Sequence, residues 1–349
     1  MKNLRTEKRW LTRQNLRAWQ HRIRRGLVVR YVDPGRPSQF PVTVQIEATS
    51  KCNLRCPLCS HSREQNAGRH LSADELRAIL DRLPWTPAEV RLNGIGEPLV
   101  NPYFFALVDV LAERGIDCEF YTNGTLLGRQ ATRDAILSRP SIRSLRISCD
   151  GATKETFEAM RAGADFDRWK ESVQGFVTQA KEHRAGTLDI GIMSVLSRQN
   201  LNEIGGVVRL TAHLGMDWVY VGPPIAIDEE AASWCPTQAE IRGFRQHLWQ
   251  LSALGKSLGV RTLFFEFPRD EASRPDSGLR CWQPWEYIFI RATGDVAPCG
   301  AVFGSEKGAV MGNILRDDFG EIWRGDRYRE FRTTSASGTN DLCQICSLY

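Results

Sequence analysis

The chain has 349 residues, 42% of them hydrophobic and 25% charged, which describes a globular protein with an ample core and room for two or three domains. No run of roughly eighteen apolar residues occurs, so no membrane span is expected, and the start lacks the apolar segment of a secretory signal. The formal net charge of +5 is uneven: residues 1–30 hold ten Lys and Arg and one Glu, a balance of +9 against −4 for the rest, so global charge gives no reason to expect a nucleic-acid partner.

Residues 1–40 form a basic N-terminal extension. Trp10, Leu11, Leu16, Trp19, Ile23 and Leu27 recur among basic side chains and predict a helix. Three readings of it stay open: a helix docked outside the main domain, a basic surface for an acidic electron donor, or a transit peptide or membrane-surface helix. Pro34, Gly35, Pro37 and Ser38 mark a connector.

Val42–Ala48 alternates and is β-branched, which predicts a strand. A loop with three cysteines, Cys52, Cys56 and Cys59, follows it directly. Ser72-Ala-Asp-Glu75 is a capping box that opens a helix to about Arg82. Strands are then predicted near Glu89–Leu92, Cys118–Thr122, Ser144–Ser148, Leu188–Leu196 and Trp218–Val221. Helices are predicted near Pro102–Arg114, Arg129–Leu137, Lys154–Met160, Asp167–Lys181 and Asn202–Leu214. Helices between successive strands demand a parallel sheet with right-handed crossovers. The expected fold is therefore α/β, a partial TIM-like barrel of six β/α units, with chemistry at the C-terminal strand ends.

A helix over Thr237–Leu258 and a strand over Val260–Phe267 follow. Arg269–Ser277 is a polar break. Beyond it, Tyr287–Arg291 and Asp295–Ala297 predict a hairpin, and Asp317–Arg332 a helix. The expected division is an extension (1–40), the barrel (41–225), a connecting helix and strand (226–275) and a small cysteine-bearing domain (276–349) that needs a metal to fold.

Ten cysteines in a chain without an export signal read as metal ligands and thiols, and point to a reducing cytoplasm. Three thiolates in the spacing of Cys52, Cys56 and Cys59 suit one iron–sulfur cluster and leave one iron open. A zinc loop completed by a distant ligand is the plainer alternative. Cys281, Cys299, Cys343 and Cys346 form a second set, able to hold zinc or a closed cluster.

The cysteine loop resembles the signature of the radical S-adenosylmethionine (SAM) superfamily. Membership implies a 4Fe–4S cluster on Cys52, Cys56 and Cys59 whose open iron takes SAM, and cleavage of SAM to a 5′-deoxyadenosyl radical that removes hydrogen from a substrate. Asn93-Gly-Ile-Gly96-Glu97-Pro98 is similar to the glycine–glutamate motif whose backbone holds the amino group of SAM. The resemblance implies that Asn123 helps hold the ribose, that Ser148 contacts the ribose or methionine end, and that Arg161 pairs with the methionine carboxylate, for which its planar fork is suited. Leu196 and Tyr220–Gly222 are candidates for packing the adenine.

The surroundings of Cys281 and Cys299 resemble SPASM and twitch domains. With four cysteines there, the match is to the shorter twitch form, and it implies an auxiliary 4Fe–4S cluster with every position filled. The implied activity is an oxidoreductase that turns an alcohol of a sugar, aminocyclitol or nucleoside-type intermediate into a ketone, a small-molecule substrate, with flavodoxin or ferredoxin as electron donor. Epimerisation, decarboxylation and maturation of a ribosomal peptide are the enzymatic alternatives, and a zinc-stabilised nucleic-acid-binding protein the non-enzymatic one. Cys235, near the expected mouth, is a candidate hydrogen-atom donor for an epimerase; Asp228, Glu229 and Glu266 are candidate bases, and Cys118 and Cys149 read as core thiols.

Overall fold

The computed structural model describes residues 35, 40–63, 68–184, 186–226, 228–265, 281, 283–300 and 309–344. The basic helix predicted over 1–30, Glu266 and Cys346 lie outside these residues.

Seven parallel strands form the frame: β1 (Thr43–Ile46), β2 (Glu89–Leu92), β3 (Asp117–Thr122), β4 (Ile142–Ser148), β5 (Asp189–Val195), β6 (Trp218–Gly222) and β7 (Arg261–Phe264). Helices return the chain between them: α1 (Ala73–Asp81), α2 (Phe104–Glu113), α3 (Gln130–Leu137), α4 (Lys154–Met160), α5 (Phe166–Arg184) and α6 (Ile204–His213), then α7 (Glu229–Trp234), α8 (Gln238–Gln246) and α9 (Leu248–Leu258). The capping box is present: Ser72 and Glu75 bond each other's backbone N–H at the start of α1. This is the expected α/β partial barrel, with one strand more than six units supply.

Alternation along each strand divides two environments. Val44, Ile46, Val90, Leu92, Phe120, Leu145, Ile147, Ile192, Val219 and Val221 are fully buried beneath the helices. Each such side chain contributes about 1.5–3 kcal/mol. The other face is polar: Gln45, Glu47, Arg91, Glu119, Arg146, Met193 and Tyr220 stand on it, and Glu119 bridges Arg91 (2.8 Å) and Arg146 (2.6 Å).

The C-terminal part joins the same sheet. After α10 (Gln283–Glu286), β8 (Tyr287–Ile290) pairs in parallel with β1, and β9 (Asp295–Ala297) and β10 (Gly312–Asn313) continue antiparallel, giving one ten-stranded sheet ordered β10-β9-β8-β1-β2-β3-β4-β5-β6-β7. The reason is in the residues. Tyr-Ile-Phe-Ile is apolar on both faces and all four are buried, which an isolated hairpin cannot achieve.

Two predicted helices are each divided in two. Thr237–Leu258 becomes α8 and α9, joined at His247. Asp317–Arg332 becomes α11 (Phe319–Arg324) and α12 (Asp326–Ser337), joined at the extended residue Gly325, where a Cβ would lie 2.4 Å from Glu321 O. A short α13 (Asp341–Gln344) ends the described chain. No helix among the described residues is long and apolar enough to cross a membrane.

Candidate active site

The cysteine loop leaves the C-terminal end of β1 and is stitched to the ends of the next three strands. Lys51 O accepts from Glu97 N (2.9 Å) after β2. Asn53 Oδ1 accepts from Asn123 Nδ2 (2.9 Å) after β3. Arg55 N donates to Ala162 O (3.0 Å), one residue past Arg161. Within the loop, Cys59 N donates to Cys56 O (3.1 Å) and Leu54 N points to Cys52 Sγ (3.5 Å). These bonds fix the backbone between the thiols, so their half-buried sulfurs are preorganised rather than mobile.

Glu97 is 2% exposed. Its carboxylate accepts from Thr122 Oγ1 (2.7 Å), Asn123 N (2.6 Å) and Leu99 N (3.2 Å). Burial outweighs these donors and pushes its pKa up to about 7. The carboxylate thus ties the ends of β2 and β3 together, and the backbone edge beside it is what faces the cysteine loop. Gly96 makes that approach possible: a Cβ there would lie 2.3 Å from Thr49 O and 2.4 Å from Lys51 O.

Arg161 caps α4 and reaches the same place. Its Nη2 lies 2.6 Å from Asp150 Oδ2 in a pair that is almost entirely buried, and it also hydrogen-bonds Cys56. Burial opposes the guanidinium charge, but Asp150 and the loop thiols more than offset it and push its pKa up. Burial pushes Cys56 up and Arg161 draws it back; burial pushes Cys52 up to about 11. Arg161 Nε is buried and has no hydrogen-bond partner among the described residues. A cation with an unused donor beside three thiols suits a negatively charged group placed between them.

Two family models match this chain. Residues 46–184 match the radical SAM superfamily, and residues 281–347 match SPASM, an iron–sulfur cluster-binding domain. The chain carries a radical SAM domain over residues 46–184 and a SPASM domain over residues 281–347. It is therefore an enzyme whose cofactors are SAM and two 4Fe–4S clusters.

Among relatives, a tungsten-containing aldehyde ferredoxin oxidoreductase cofactor-modifying protein of Pyrococcus furiosus is 24% identical, over 87% of this chain and 86% of its own. A mycofactocin maturase of Mycolicibacterium smegmatis is 27% identical, over 87% and 75%. A PqqA peptide cyclase of Rhodopseudomonas palustris is 26% identical, over 88% and 79%. In fold, the chain is similar to Streptococcus suis SuiB bound to its precursor peptide SuiA, with a TM-score of 0.68 at 18% identity, over 90% of this chain and 71% of that one.

The other radical SAM residues named from sequence are placed as follows. Asn123 stands at the site, but its side chain is engaged: Nδ2 on Asn53, and Oδ1 accepting from Thr125 N (3.0 Å) and Oγ1 (2.6 Å). Ser148 ends β4, half-buried, beside Met193 of β5. Leu196 is buried, and its N–H donates to Gly222 O (2.8 Å). Cys118 and Cys149 are buried core thiols. Cys235, half-buried, caps α7 at its C-terminal end, its Sγ donating back to Ala231 O (3.3 Å). Asp228 caps α7 through Ala231 N (2.7 Å), and Glu229 opens that helix.

A groove of about 500 Å³ runs beside the cysteine loop. Arg55, Pro57 and Ser62 of the loop line one side, Ala159 and Ala162 at the end of α4 another, and Asp228, Glu230 and Trp234 of α7 the third.

Three positioning residues were not singled out from sequence. Asp150 holds Arg161. Glu203 of α6 accepts from Ala152 N (2.8 Å) and Thr153 N (3.2 Å) and so fixes the start of α4, whose end carries Arg161. Glu47, 1% exposed, accepts from Ile95 N (3.3 Å) and Ala292 N (3.1 Å), tying the glycine–glutamate loop to the end of β8. The signal for Glu47 was available: a carboxylate on an otherwise β-branched strand is costly to bury unless donors meet it.

In the SPASM domain, Cys281, Cys299 and Cys343 are half-buried. Gln283 N points to Cys281 Sγ (3.4 Å), and Ser335 Oγ lies 3.3 Å from Cys343 Sγ. Among the described residues no three His, Cys, Asp or Glu side chains converge as they would on a single ion, so the cluster assignment rests on spacing, donor chemistry and the two family matches. The donor set fits: soft thiols at both sites, each with a buried guanidinium nearby that has a donor left over, Arg161 at one and Arg332 at the other.

Proposed function

We propose that this enzyme modifies a peptide by radical chemistry, with Cys52, Cys56 and Cys59 holding the SAM-cleaving cluster and Cys281, Cys299, Cys343 and Cys346 the auxiliary one. The observation that carries the peptide reading is the likeness to a peptide cyclase over 88% of this chain. It supports maturation of a peptide over oxidation of a sugar or aminocyclitol, for which none of the relatives named above speaks. When bound, the first cluster supplies the electron that cleaves SAM. The protein's own part is positional. Arg161 offers its unused Nε–H to the methionine carboxylate, Gly96 brings a bare backbone edge to the amino group, and Ser148 stands at the β4 end within the same ring of strand termini. The groove beside the loop offers Arg55, Asp228 and Glu230 for the polar groups of an extended chain and Trp234 for an apolar side chain.

The test is anaerobic incubation of the reconstituted enzyme with SAM, dithionite and synthetic peptides for the short reading frames next to its gene. Peptide products lighter by two hydrogens or by carbon dioxide, formed with 5′-deoxyadenosine, support the reading. Turnover of a sugar-derived alcohol with no peptide turned over reinstates the dehydrogenase expectation and removes this one.

A second reading is modification of a non-peptide cofactor, favoured by the likeness to the Pyrococcus furiosus cofactor-modifying protein over 87% of this chain. The same incubation separates the two by which substrate gains or loses mass.

A further inference from the structure

Arg332 of α12 is 0% exposed. Its guanidinium packs against two aromatic rings, 4.2 Å from the centroid of Trp323 and 4.1 Å from that of Tyr328. Nε donates to Pro284 O (3.0 Å) and Nη1 to Trp323 O (2.7 Å). Among the described residues Nη2 has no hydrogen-bond partner and no carboxylate pairs with this cation. A buried charge without a counter-charge costs several kcal/mol. Two ring faces and two carbonyls offset part of that cost and leave one nitrogen unused.

Its neighbours lie on the segments that carry the auxiliary cysteines. Pro284, whose carbonyl it holds, is three residues past Cys281. Ser335, one helical turn along α12, touches Cys343 Sγ (3.3 Å). Tyr328, one of its two ring partners, reaches Tyr287 O (3.5 Å), and Cys299 packs against the hydrophobic cluster that Tyr287 belongs to. So Arg332 is tied to the segments that carry three of the four ligands, by bonds to one and by a neighbouring side chain to each of the others.

We propose that Arg332 is the counter-cation of the auxiliary cluster and raises its reduction potential. A 4Fe–4S cluster on four thiolates is a net anion and becomes more negative on reduction. A fixed positive charge in a low-dielectric surround stabilises the reduced form more than the oxidised one. The unpaired cation is then compensated only in the loaded protein. Arg332 is a positioning and tuning residue, since it touches neither substrate nor SAM. This inference rests on the auxiliary-cluster reading and is independent of what the substrate is.

The test is a redox titration of the holoenzyme followed by electron paramagnetic resonance, comparing wild type with Arg332→Met and Arg332→Lys. The SAM-binding cluster, distinguished by its response to added SAM, is the internal control. The proposal expects a more negative auxiliary midpoint in Arg332→Met, a midpoint nearer wild type in Arg332→Lys, and no change in the control cluster. Equal auxiliary midpoints in wild type and Arg332→Met overturn it, as does an equal shift in the Met and Lys variants, which marks a packing effect. If Arg332→Met does not load the auxiliary site, Arg332→Lys decides: loading at a near-native midpoint supports the charge, and failure to load overturns it. A wild-type protein with no auxiliary iron removes the premise, and is told apart from an unchanged midpoint by iron content alone.

Discussion

Arg161 and Asp150 form a buried ion pair, 2.6 Å between Nη2 and Oδ2, and the same guanidinium bonds Cys56. Asp150 Oδ1 in turn accepts from Val195 N (2.7 Å), and its backbone carbonyl takes Asn200 Nδ2 (2.7 Å). The carboxylate therefore sets the angle at which Arg161 enters the site from β4, with β5 behind it.

Asp150→Asn keeps the shape and removes the charge that Arg161 needs. Breaking one side of a buried pair is expected to cost about 3 kcal/mol. Thermal unfolding under anaerobic conditions checks this. Equilibrium SAM binding to the cluster-loaded variant is expected to weaken about tenfold or more, because the guanidinium loses its fixed orientation.

Gly96→Ala places a methyl group 2.3 Å and 2.4 Å from two carbonyl oxygens of the cysteine loop's own backbone. Neither is the end of a flexible side chain, so the loop must shift. The expected loss is about 2 kcal/mol or more, with less iron bound per chain, read by iron analysis and chemical denaturation. Gly243, inside α8, has nothing within 4 Å of its added Cβ. Gly243→Ala is expected to bind iron normally and to gain about 0.5–1 kcal/mol.

Glu97 gives a pH signature. Its pKa rises from 4.5 in the unfolded chain to about 7 in the fold, because burial disfavours the carboxylate. Between those values the native state holds a proton that the unfolded state has lost, so stability falls as pH rises through this window. The contribution is fully present below pH 4.5 and gone above about 7; its size is about 3 kcal/mol. Melting curves of the iron-free protein from pH 4.5 to 8 are expected to show this slope, and Glu97→Gln to flatten it. The variant also turns an amide donor toward the donors on Thr122 and Asn123, so its stability is expected to be lower across the range.

What the residues alone revealed follows the range of the physics. Strand ends were legible because alternation, β-branching and the turns after β2 and β3 are local signals. So was the cysteine loop, a pattern of spacing, whereas Arg161 is singled out only by the family resemblance. Asp150 was visible in sequence but its role was not: nothing in a Ser-Cys-Asp-Gly turn says that Arg161, eleven positions on and beyond a helix, will return to it. Glu47 and Glu203 are the same kind of case, since each earns its place through donors far away in the chain. The position of β8 beside β1 was missed for a different reason. The hairpin of Tyr287–Arg291 with Asp295–Ala297 is present, but an all-apolar strand asks for a neighbour on each side, and the edge of β1 supplies the second.

The most direct test of the account is formation of 5′-deoxyadenosine from SAM by the anaerobically reconstituted enzyme under dithionite. Wild type is expected to form it, and Cys56→Ala, which retains the auxiliary cysteines, is expected to form none. A wild-type preparation shown by Mössbauer spectroscopy to hold its cluster on Cys52, Cys56 and Cys59, yet releasing no 5′-deoxyadenosine, would contradict the claim.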